Sequence, residues 1–386
     1  MTPGARVAAA AIILDTIRDG MPAEQALTTW ARGSRFAGSK DRAALRDLVF
    51  DALRARRSLG DGDGRALMIQ LAQRDGGDLD QLFSGDGHAP AVISVEERAA
   101  LANPQAQSPA QACDLPDWLW PLWEQSLGAA AVETALVQQR RADVFLRVNQ
   151  RRTTVNAAIG ALKEDQIEAA QHPEIKGCLR VIANPRRIKN AAAYLDGRVE
   201  LQDASSQFAV NQLQLRAGAR VLDYCAGGGG KALAIADQFD AQVYAHDINP
   251  QRMTDLGVRA ARAGVQVTQI ETAGLAQNDP FDLVFCDAPC SGSGTWRRTP
   301  DAKWRLTQAR LDALREMQAQ VIAAGANLVG TGGALVYATC SVLADENDAI
   351  VDAFCAQDPA WKIRARHQLL PGADGDGFFL CVLEKF

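Results

Sequence analysis

The most constraining feature of this sequence is the alternation of strand-like and helical stretches that begins at residue 204. Short apolar runs are separated by stretches with helical spacing, the longest of which covers residues 307–329. The strand-like runs are residues 220–225, 242–247, 265–270, 281–287 and 333–341. Parallel strands need helical crossovers, so this alternation is typical of a doubly wound, mostly parallel sheet. We therefore predict an α/β, Rossmann-like domain over residues 204–386, with a final edge strand at residues 378–384.

The chain before residue 204 divides into three parts. Residues 1–83 show helical spacing of apolar residues throughout, which predicts an all-helical domain. Residues 84–114 are rich in Pro, Gly, Gln and Ser and are interpreted as a linker with one short helix near residues 95–101. Residues 115–203 combine strand-like runs with a helix near residues 155–162, which predicts a small α+β domain with a helical lead-in.

That lead-in carries three closely spaced tryptophans, Trp118, Trp120 and Trp123. Aromatic rings of this kind can stack on nucleic-acid bases, but helical packing between domains is the expected role. We expect packing for Trp304 as well.

Charge and cysteine usage narrow the class of protein. The net charge is −5, yet basic residues cluster in residues 35–57, 140–152 and 186–189, where they could contact phosphates or form solvated helix faces. The eight cysteines show no CxxC pair and the four histidines are scattered, which favours reduced thiols and predicts no metal site. No apolar run approaches the roughly 20 residues of a membrane span. We predict a cytoplasmic, monomeric enzyme without a membrane partner.

Reactive side chains follow two of the predicted strands. Residues 281–287 end in Asp287, after which Ala-Pro leads to Cys290 and a loop of small residues, and the run 333–341 contains Cys340 near its end. In open α/β sheets ligands bind just beyond the carboxyl ends of the strands. We therefore expect Asp287, Cys290 and Cys340 to lie together, while Cys225 and Cys286 are expected to be structural.

A glycine run follows the first predicted strand, from Gly227 to Gly230, with Lys231 next to it. Glycines let the backbone approach a ligand and open a helix N-terminus toward it. Such a loop is common to dinucleotide and S-adenosylmethionine sites. Asp247 ends the second strand, where an acid commonly binds ribose hydroxyls, and the alternative role is a helix N-cap.

Several motifs carry a family resemblance. Asp-Ala-Pro-Cys-Ser-Gly-Ser-Gly begins at Asp287, Arg-Arg-Thr-Pro-Asp-Ala-Lys-Trp begins at Arg297, and Ala-Thr-Cys-Ser at residues 338–341 precedes Glu346-Asn347. Gly-Asp-Gly-Phe-Phe occupies residues 375–379. Together they resemble the RNA (cytosine-5) methyltransferases of the RsmB/NSUN family over roughly residues 201–386. Residues 38–50 look like the NusB-type RNA-binding domain of the bacterial RsmB branch.

The resemblance implies a class I methyltransferase that uses S-adenosyl-L-methionine to methylate carbon 5 of a cytosine in ribosomal RNA, of the 16S type. It implies that Cys340 adds to carbon 6 of the ring and that Cys290 assists release. It also implies that Asp287 holds the N3/N4 edge of the base and that Lys231 orients the base or activates a thiol. The implied cofactor-binding residues are Cys225, Ala226, Gly227, Gly228, Gly229, Gly230, Lys231, Asp247, Thr272 and Asp287. The implied RNA-binding residues are Arg297, Arg298 and Lys303.

The chain departs from the family pattern at two places. Gly227-Gly228 replaces the usual Ala-Pro, which loosens the loop. Ala273 aligns with an acid near the adenine, so either Glu271 or Thr272 substitutes for it or cofactor affinity is reduced. Two other functions are considered: the same chemistry on transfer RNA or DNA, and a non-catalytic RNA-binding assembly factor. DNA enzymes of this type use the Pro-Cys thiol as nucleophile, so the second cysteine counts against a DNA substrate.

Overall fold

The computed structural model describes residues 1–103 and 106–386, which form two compact units. One unit comprises Met1–Arg141 with Trp296–Gln308, and the other comprises Ala142–Thr295 with Ala309–Phe386. The segment Trp296–Gln308 lies between two segments of the second unit in the sequence but belongs to the first unit. The predicted domains 1–83, 115–203 and 204–386, with a linker at 84–114, remain a prediction.

The first unit is helical. Its α-helices are Pro3–Arg18, Ala23–Gly33, Ser39–Arg54, Gly64–Arg74, Leu79–Leu82, Val95–Ala102, Pro109–Ala112, Trp120–Leu127, Ala131–Gln138 and Pro300–Arg305. Buried apolar residues such as Ile13, Leu45 and Val49 form its core, which confirms the helical interpretation of residues 1–83. The predicted short helix near residue 95 is also present, and Ser94 begins it with a capping box.

The aromatic residues of this unit serve packing. Trp123 is fully buried and stacks on Trp296 with ring centroids 5.8 Å apart. The Nε1–H of Trp123 donates to the carbonyl of Ala131, and that of Trp304 donates to the carbonyl of Leu53. The packing predicted for Trp123 and Trp304 is therefore confirmed.

The second unit contains a small antiparallel sheet. Its strands are β1 (Val144–Val148), β2 (Glu168–Gln171), β3 (Cys178–Ala183) and β4 (Val199–Leu201), in the order β2-β3-β1-β4. The helices Val155–Glu164 and Ala192–Leu195 accompany these strands. The sequence analysis missed β2, because Glu-Ala-Ala-Gln contains no β-branched or aromatic residue.

The larger sheet of the second unit is mostly parallel. Its strands are β5 (Ala219–Asp223), β6 (Ala241–Ala245), β7 (Thr268–Gln269), β8 (Phe281–Asp287), β9 (Val329–Thr339), β10 (Trp361–Leu369) and β11 (Phe378–Lys385). Their order is β10-β11-β9-β8-β5-β6-β7, with β5 to β9 parallel and β11 antiparallel to both of its neighbours, β9 and β10. Its helices are Ala204–Asn211, Gly230–Gln238, Leu256–Ala263, Thr272–Leu275, Gln308–Asn327 and Asp348–Gln357. The Rossmann-like prediction is confirmed.

One strand prediction is wrong in its position. The strand Phe378–Lys385 was expected at the sheet edge, but it lies between β9 and β10. The edge strand is β10, whose charged residues hid it from the sequence analysis: Lys362, Arg364 and Arg366 alternate along it. Charged residues are typical of edge strands.

The order β9-β8-β5 brings three carboxyl ends to one edge of the sheet. Phe285 of β8 pairs with Val336 of β9, and Asp287 pairs with Ala338. Asp223, the last residue of β5, pairs with Phe285. Residues that follow these strands therefore meet at this edge.

Candidate active site

The thiols of Cys290 and Cys340 meet at this edge of the sheet. Their sulfur atoms lie 3.4 Å apart, within hydrogen-bond distance. The backbone holds them there: the N–H of Ala288 donates to the carbonyl of Ala338 at 2.8 Å, and that of Gly294 donates to the carbonyl of Cys340 at 2.9 Å. Both thiols are only partly buried, so a ligand can approach them.

The two thiols have different surroundings. The hydrogen bond with Cys340 raises the pKa of the Cys290 thiol, as do burial and the negative charge of Glu346, while the N–H of Gly292 acts in the opposite direction. The net shift is well above the usual range, so Cys290 keeps its proton at neutral pH. Cys340 instead interacts electrostatically with the ammonium of Lys231.

Lys231 forms an ion pair with Asp287, with Nζ and Oδ2 2.5 Å apart. Burial disfavours the charged ammonium, but the carboxylate of Asp287 outweighs this effect and the pKa of Lys231 is raised. The ammonium also lies over the Phe378 ring, 5.1 Å from its centroid. The pair keeps a fixed positive and a fixed negative charge beside the sulfur atoms.

The glycine run bends sharply between β5 and the helix Gly230–Gln238. Gly227 and Gly229 have φ angles of 52° and 76°, in the left-handed region that glycine adopts without strain. A Cβ at Gly229 would lie 2.3 Å from Cδ1 of Leu256. Glycine is therefore required at Gly229 by both conformation and space.

Asp223 contacts the helix that follows this loop. It is buried, and its Oδ2 accepts the N–H of Ala232 at 2.9 Å. Its Oδ1 has no hydrogen-bond partner among residues 1–103 and 106–386. Burial raises the pKa of Asp223 to about 7. An unpartnered buried carboxylate oxygen at a ligand loop is suited to a donor group of a bound molecule.

Asp247 is also buried and receives several donors. Its Oδ2 accepts the N–H of Gly227 at 2.9 Å and pairs with Arg252 at 3.0 Å, and its Oδ1 accepts the N–H of Asn249 at 3.0 Å. The N-cap of the following 3-10 turn is Asn249, so the alternative role of Asp247 as that cap is wrong. Arg252 is more than half exposed, which leaves it free to swing away from the carboxylate.

The remaining predicted cofactor-binding residues surround this loop. The hydroxyl of Thr272 lies 2.9 Å from Nε2 of His246. Glu271 is the N-cap residue of the helix Thr272–Leu275, and its side chain forms no capping hydrogen bond there. Ala226 donates its N–H to the carbonyl of His246. Burial chiefly raises the pKa of Cys225, which fits a structural thiol. Cys286 is fully buried, as expected for a packing residue.

The three predicted RNA-binding residues belong to the helical unit. Arg297 and Lys303 are only 3% and 2% exposed, and Arg298 is half-buried. Burial lowers the pKa of Lys303 to about 8, although Asp114 opposes the shift. The RNA-binding role of the three remains a prediction, which the burial of Arg297 and Lys303 weakens.

Two functional candidates escaped the sequence analysis. Asp223 could have been noticed, because an acid follows the apolar pair Val221-Leu222 at the end of a strand. Glu346 belongs to one of the family motifs, but its local sequence does not show that it contacts both cysteine loops. Within the described ranges, no group of His, Cys, Asp and Glu side chains is arranged to hold a metal ion. The helices of the described chain include none that is long and apolar enough to cross a bilayer.

Comparisons with known proteins decide the family. The model of 16S rRNA methyltransferase RsmB/F matches residues 210–383, and the ferredoxin-like domain model of RsmF/B-like methyltransferases matches residues 115–189. The chain belongs to the RsmB/NSUN family. Ribosomal RNA small subunit methyltransferase B of Klebsiella pneumoniae (strain ATCC 700721 / MGH 78578) is a relative with 34% identity over 286 residues, or 70% of this chain. The namesake of Vibrio vulnificus (strain YJ016) is 32% identical over 285 residues, again 70% of this chain. The matches span 66% of the length of each of these two relatives.

Solved structures share the fold of this RsmB/NSUN member. The crystal structure of PH0851 matches with a TM-score of 0.80 at 23% identity, covering 100% of this chain and 99% of its own. NSun6 from Pyrococcus horikoshii, solved with SFG, matches with a TM-score of 0.63 at 16% identity, covering 70% of this chain and 98% of its own. At these identities the likeness concerns the fold.

Proposed function

We propose that this protein transfers a methyl group from S-adenosyl-L-methionine to carbon 5 of a cytosine in ribosomal RNA of the small subunit, 16S in type. The observation that carries the proposal is the pair of sulfur atoms 3.4 Å apart beside the Lys231–Asp287 ion pair. Membership of a family whose model is described as a 16S rRNA methyltransferase supports the choice of substrate.

The two thiols suit the chemical problem of this reaction. Carbon 5 of cytosine is a poor nucleophile, so a thiolate must first add to carbon 6 and turn the ring into an enamine. Carbon 5 would then bond to the methyl group of the bound cofactor, whose carbon–sulfur bond would break and leave its electron pair on the cofactor sulfur. After a base removes the proton from carbon 5, the bond between carbon 6 and sulfur breaks and its electron pair returns to the thiolate. We assign the addition to Cys340, because the family resemblance implies that it is the nucleophile and because the ammonium of Lys231 interacts with it electrostatically.

Cys290 is assigned to the release step. Its raised pKa keeps it protonated, so its S–H can donate to the Cys340 sulfur as that sulfur leaves the ring. A donor placed where negative charge develops lowers the barrier of such a step. Asp287, held by Lys231, ends β8 at the same edge of the sheet and would accept from the N4 amino group on the N3/N4 edge of the cytosine.

The loop between β5 and the helix Gly230–Gln238 fits the proposed cofactor. Its glycines leave room for a ligand, Asp223 offers an unpartnered oxygen within the described chain, and Asp247 would bind the ribose hydroxyls once Arg252 moves aside. When bound, S-adenosylmethionine supplies an electrophilic methyl group. We propose the backbone from Cys225 to Lys231 and the hydroxyl of Thr272 as the other contacts. The target base must leave its stack to reach Cys340.

Bisulfite sequencing of small-subunit ribosomal RNA from cells with and without this protein tests the proposal. The expected result is one or more 5-methylcytosines that disappear without the protein and are not restored by the Cys340→Ala variant. An unchanged methylation pattern would overturn the substrate. Parallel sequencing of transfer RNA and DNA distinguishes the other nucleic acids. Calorimetric titration tests the non-catalytic alternative, which predicts no binding of the cofactor at millimolar concentration.

A further inference from the structure

The loops that carry the two cysteines meet at one buried carboxylate, that of Glu346. The residue lies in the 3-10 turn Ala344–Glu346 and is 0% exposed. Its Oε1 accepts the N–H of Ser291 at 2.7 Å and the side-chain amide of Gln318 at 3.0 Å. Its Oε2 accepts the hydroxyl of Ser341 at 2.5 Å and also that of Ser291.

These contacts connect Glu346 to both thiols through their chain neighbours. Ser291 directly follows Cys290, and Ser341 directly follows Cys340. One carboxylate therefore holds both residues next to the sulfur atoms, with one oxygen shared between the two serine hydroxyls.

Further hydrogen bonds make the arrangement rigid. The hydroxyls of Ser293 and Ser341 are 2.8 Å apart, and the Ser293 hydroxyl accepts the N–H of Val342 at 2.9 Å. The hydroxyl of Tyr337 donates to the backbone carbonyl of Glu346 at 2.7 Å. A satisfied network of this kind fixes the loops in one conformation.

The charge of Glu346 is unusual for its position. Within the described residues all of its partners are neutral donors, and no Lys, Arg or His forms an ion pair with it. Burying a carboxylate without a cation is costly, and a neutral acceptor could serve the same loops. The retained negative charge therefore indicates a role beyond packing.

The negative charge of Glu346 acts on the thiol of Cys290. The groups that face Cys290 are the Cys340 thiol, the Glu346 carboxylate and the Tyr337 hydroxyl, together with the N–H of Gly292. Lys231 interacts electrostatically with Cys340. The carboxylate thus favours the protonated thiol at Cys290.

We propose that Glu346 is a positioning residue that holds Cys290 and Cys340 at their mutual distance and, through its charge, keeps the proton on Cys290. This makes Cys290 the donor and Cys340 the nucleophile. The inference rests on the proposed function for its consequence in catalysis, but the proton location can be measured without any reaction on RNA.

Two variants separate charge from geometry. Glu346→Gln keeps the shape and removes the charge, and Glu346→Asp keeps the charge and withdraws it from the serines. Asp345→Asn is the matched control, because it removes a neighbouring carboxylate that pairs with Arg315 at 3.6 Å, a residue outside both cysteine loops. Thermal unfolding establishes that each variant is folded.

The readout is the pH dependence of iodoacetamide alkylation at Cys290, followed by mass spectrometry of its peptide. We expect Glu346→Gln to shift the alkylation midpoint of Cys290 to lower pH, and Glu346→Asp and Asp345→Asn to leave it near that of the wild type. An unchanged midpoint in folded Glu346→Gln would overturn the proposal.

Steady-state kinetics provide the second readout. Because small displacements of reacting groups are costly, kcat should fall by about 100-fold in both Glu346 variants while the KM for the cofactor stays constant. Should Glu346→Gln not fold, Glu346→Asp decides: a wild-type kcat in it contradicts the positioning role. If the wild type itself methylates no RNA, the proposed function fails, and the alkylation result still decides where the proton lies.

Discussion

The sulfur atoms of Cys290 and Cys340 lie 3.4 Å apart although the residues are separated by 50 positions in the chain. Their proximity follows from the pairing of β8 with β9, which ends at Asp287 and Ala338. Each strand delivers a cysteine to the same edge of the sheet, beside the ammonium of Lys231. The strand order thus produces a pair of thiols in unequal electrostatic surroundings.

Removal of the Lys231 charge should impair catalysis more than folding. In Lys231→Gln, Asp287 loses its partner and Cys340 loses the nearby cation, so we expect kcat to fall by about 100-fold or more. Loss of the pair should cost about 1–3 kcal/mol of the free energy of unfolding. Rate measurements and urea denaturation check both effects. The control is Arg216→Gln, which breaks the exposed ion pair with Asp282. It should change the free energy of unfolding by less than about 1 kcal/mol. Equal losses of kcat in the two variants would contradict this account.

A side chain at Gly229 should disrupt the ligand loop. In Gly229→Ala the new Cβ would clash with Leu256 and the backbone would keep a strained φ of 76°, so we expect a loss of about 1–3 kcal/mol in the free energy of unfolding. Cofactor binding, measured by calorimetry, should weaken as well. Gly257→Ala is the control. A Cβ at Gly257 would meet no atom within 4 Å. The residue lies in a helix, where alanine should raise the free energy of unfolding by about 0.5–1 kcal/mol. A neutral Gly229→Ala would show that the loop is not held as described.

Stability should depend on pH through Asp223. Its folded-state pKa is raised to about 7, above the usual value near 4, so the native state retains the proton more strongly than the unfolded state. The cost of ionising the buried acid therefore grows as the pH rises from about 4 to about 7 and is fully present above that. Asp223→Asn should stabilise the protein by about 1–3 kcal/mol at pH 8 and by little at pH 4. Denaturation at both pH values checks this; an equal effect at the two would contradict it.

The predicted RNA contacts divide according to burial. Lys303 is buried, and its pKa is lowered to about 8. The unfolded state therefore binds this proton more strongly than the folded state, which lowers stability at neutral pH. The cost fades as the pH rises from about 8 toward the pKa of an unfolded lysine. We expect Lys303→Met to retain RNA affinity and to raise stability at pH 7. Arg298→Ala should weaken RNA binding and lower the salt dependence of the affinity by about one contact. Filter binding across salt concentrations tests both; a weaker affinity in Lys303→Met with stability unchanged would restore Lys303 as a contact.

How much the sequence could predict depended on whether the signal was local. Local patterns are the apolar run before Asp287 and the glycines from Gly227. The first predicted the strand that ends at Asp287, and the second predicted the loop before the helix Gly230–Gln238. Strand β10 was missed because its alternating charges resemble a solvated segment. The burial of Arg297 and Lys303 follows from tertiary packing within the helical unit, which composition does not reveal.

The role of Glu346 depends on a contact that only the folded chain creates. Its partners Ser291 and Gln318 lie 55 and 28 positions away. Within residues 1–103 and 106–386, Asp223 likewise has a buried Oδ1 without a partner, a property of the folded chain. Long-range hydrogen bonds of this kind leave no periodic trace in the sequence.

Peptide mapping of the covalent RNA adduct tests the central claim most directly. The Cys290→Ala variant is incubated with cytosine-containing substrate RNA and S-adenosylmethionine, digested and analysed by mass spectrometry. We predict a nucleotide attached to the peptide that contains Cys340, and no adduct in Cys340→Ala. An adduct on Cys290 of the Cys340→Ala variant, or methylation that continues without Cys340, would contradict the account.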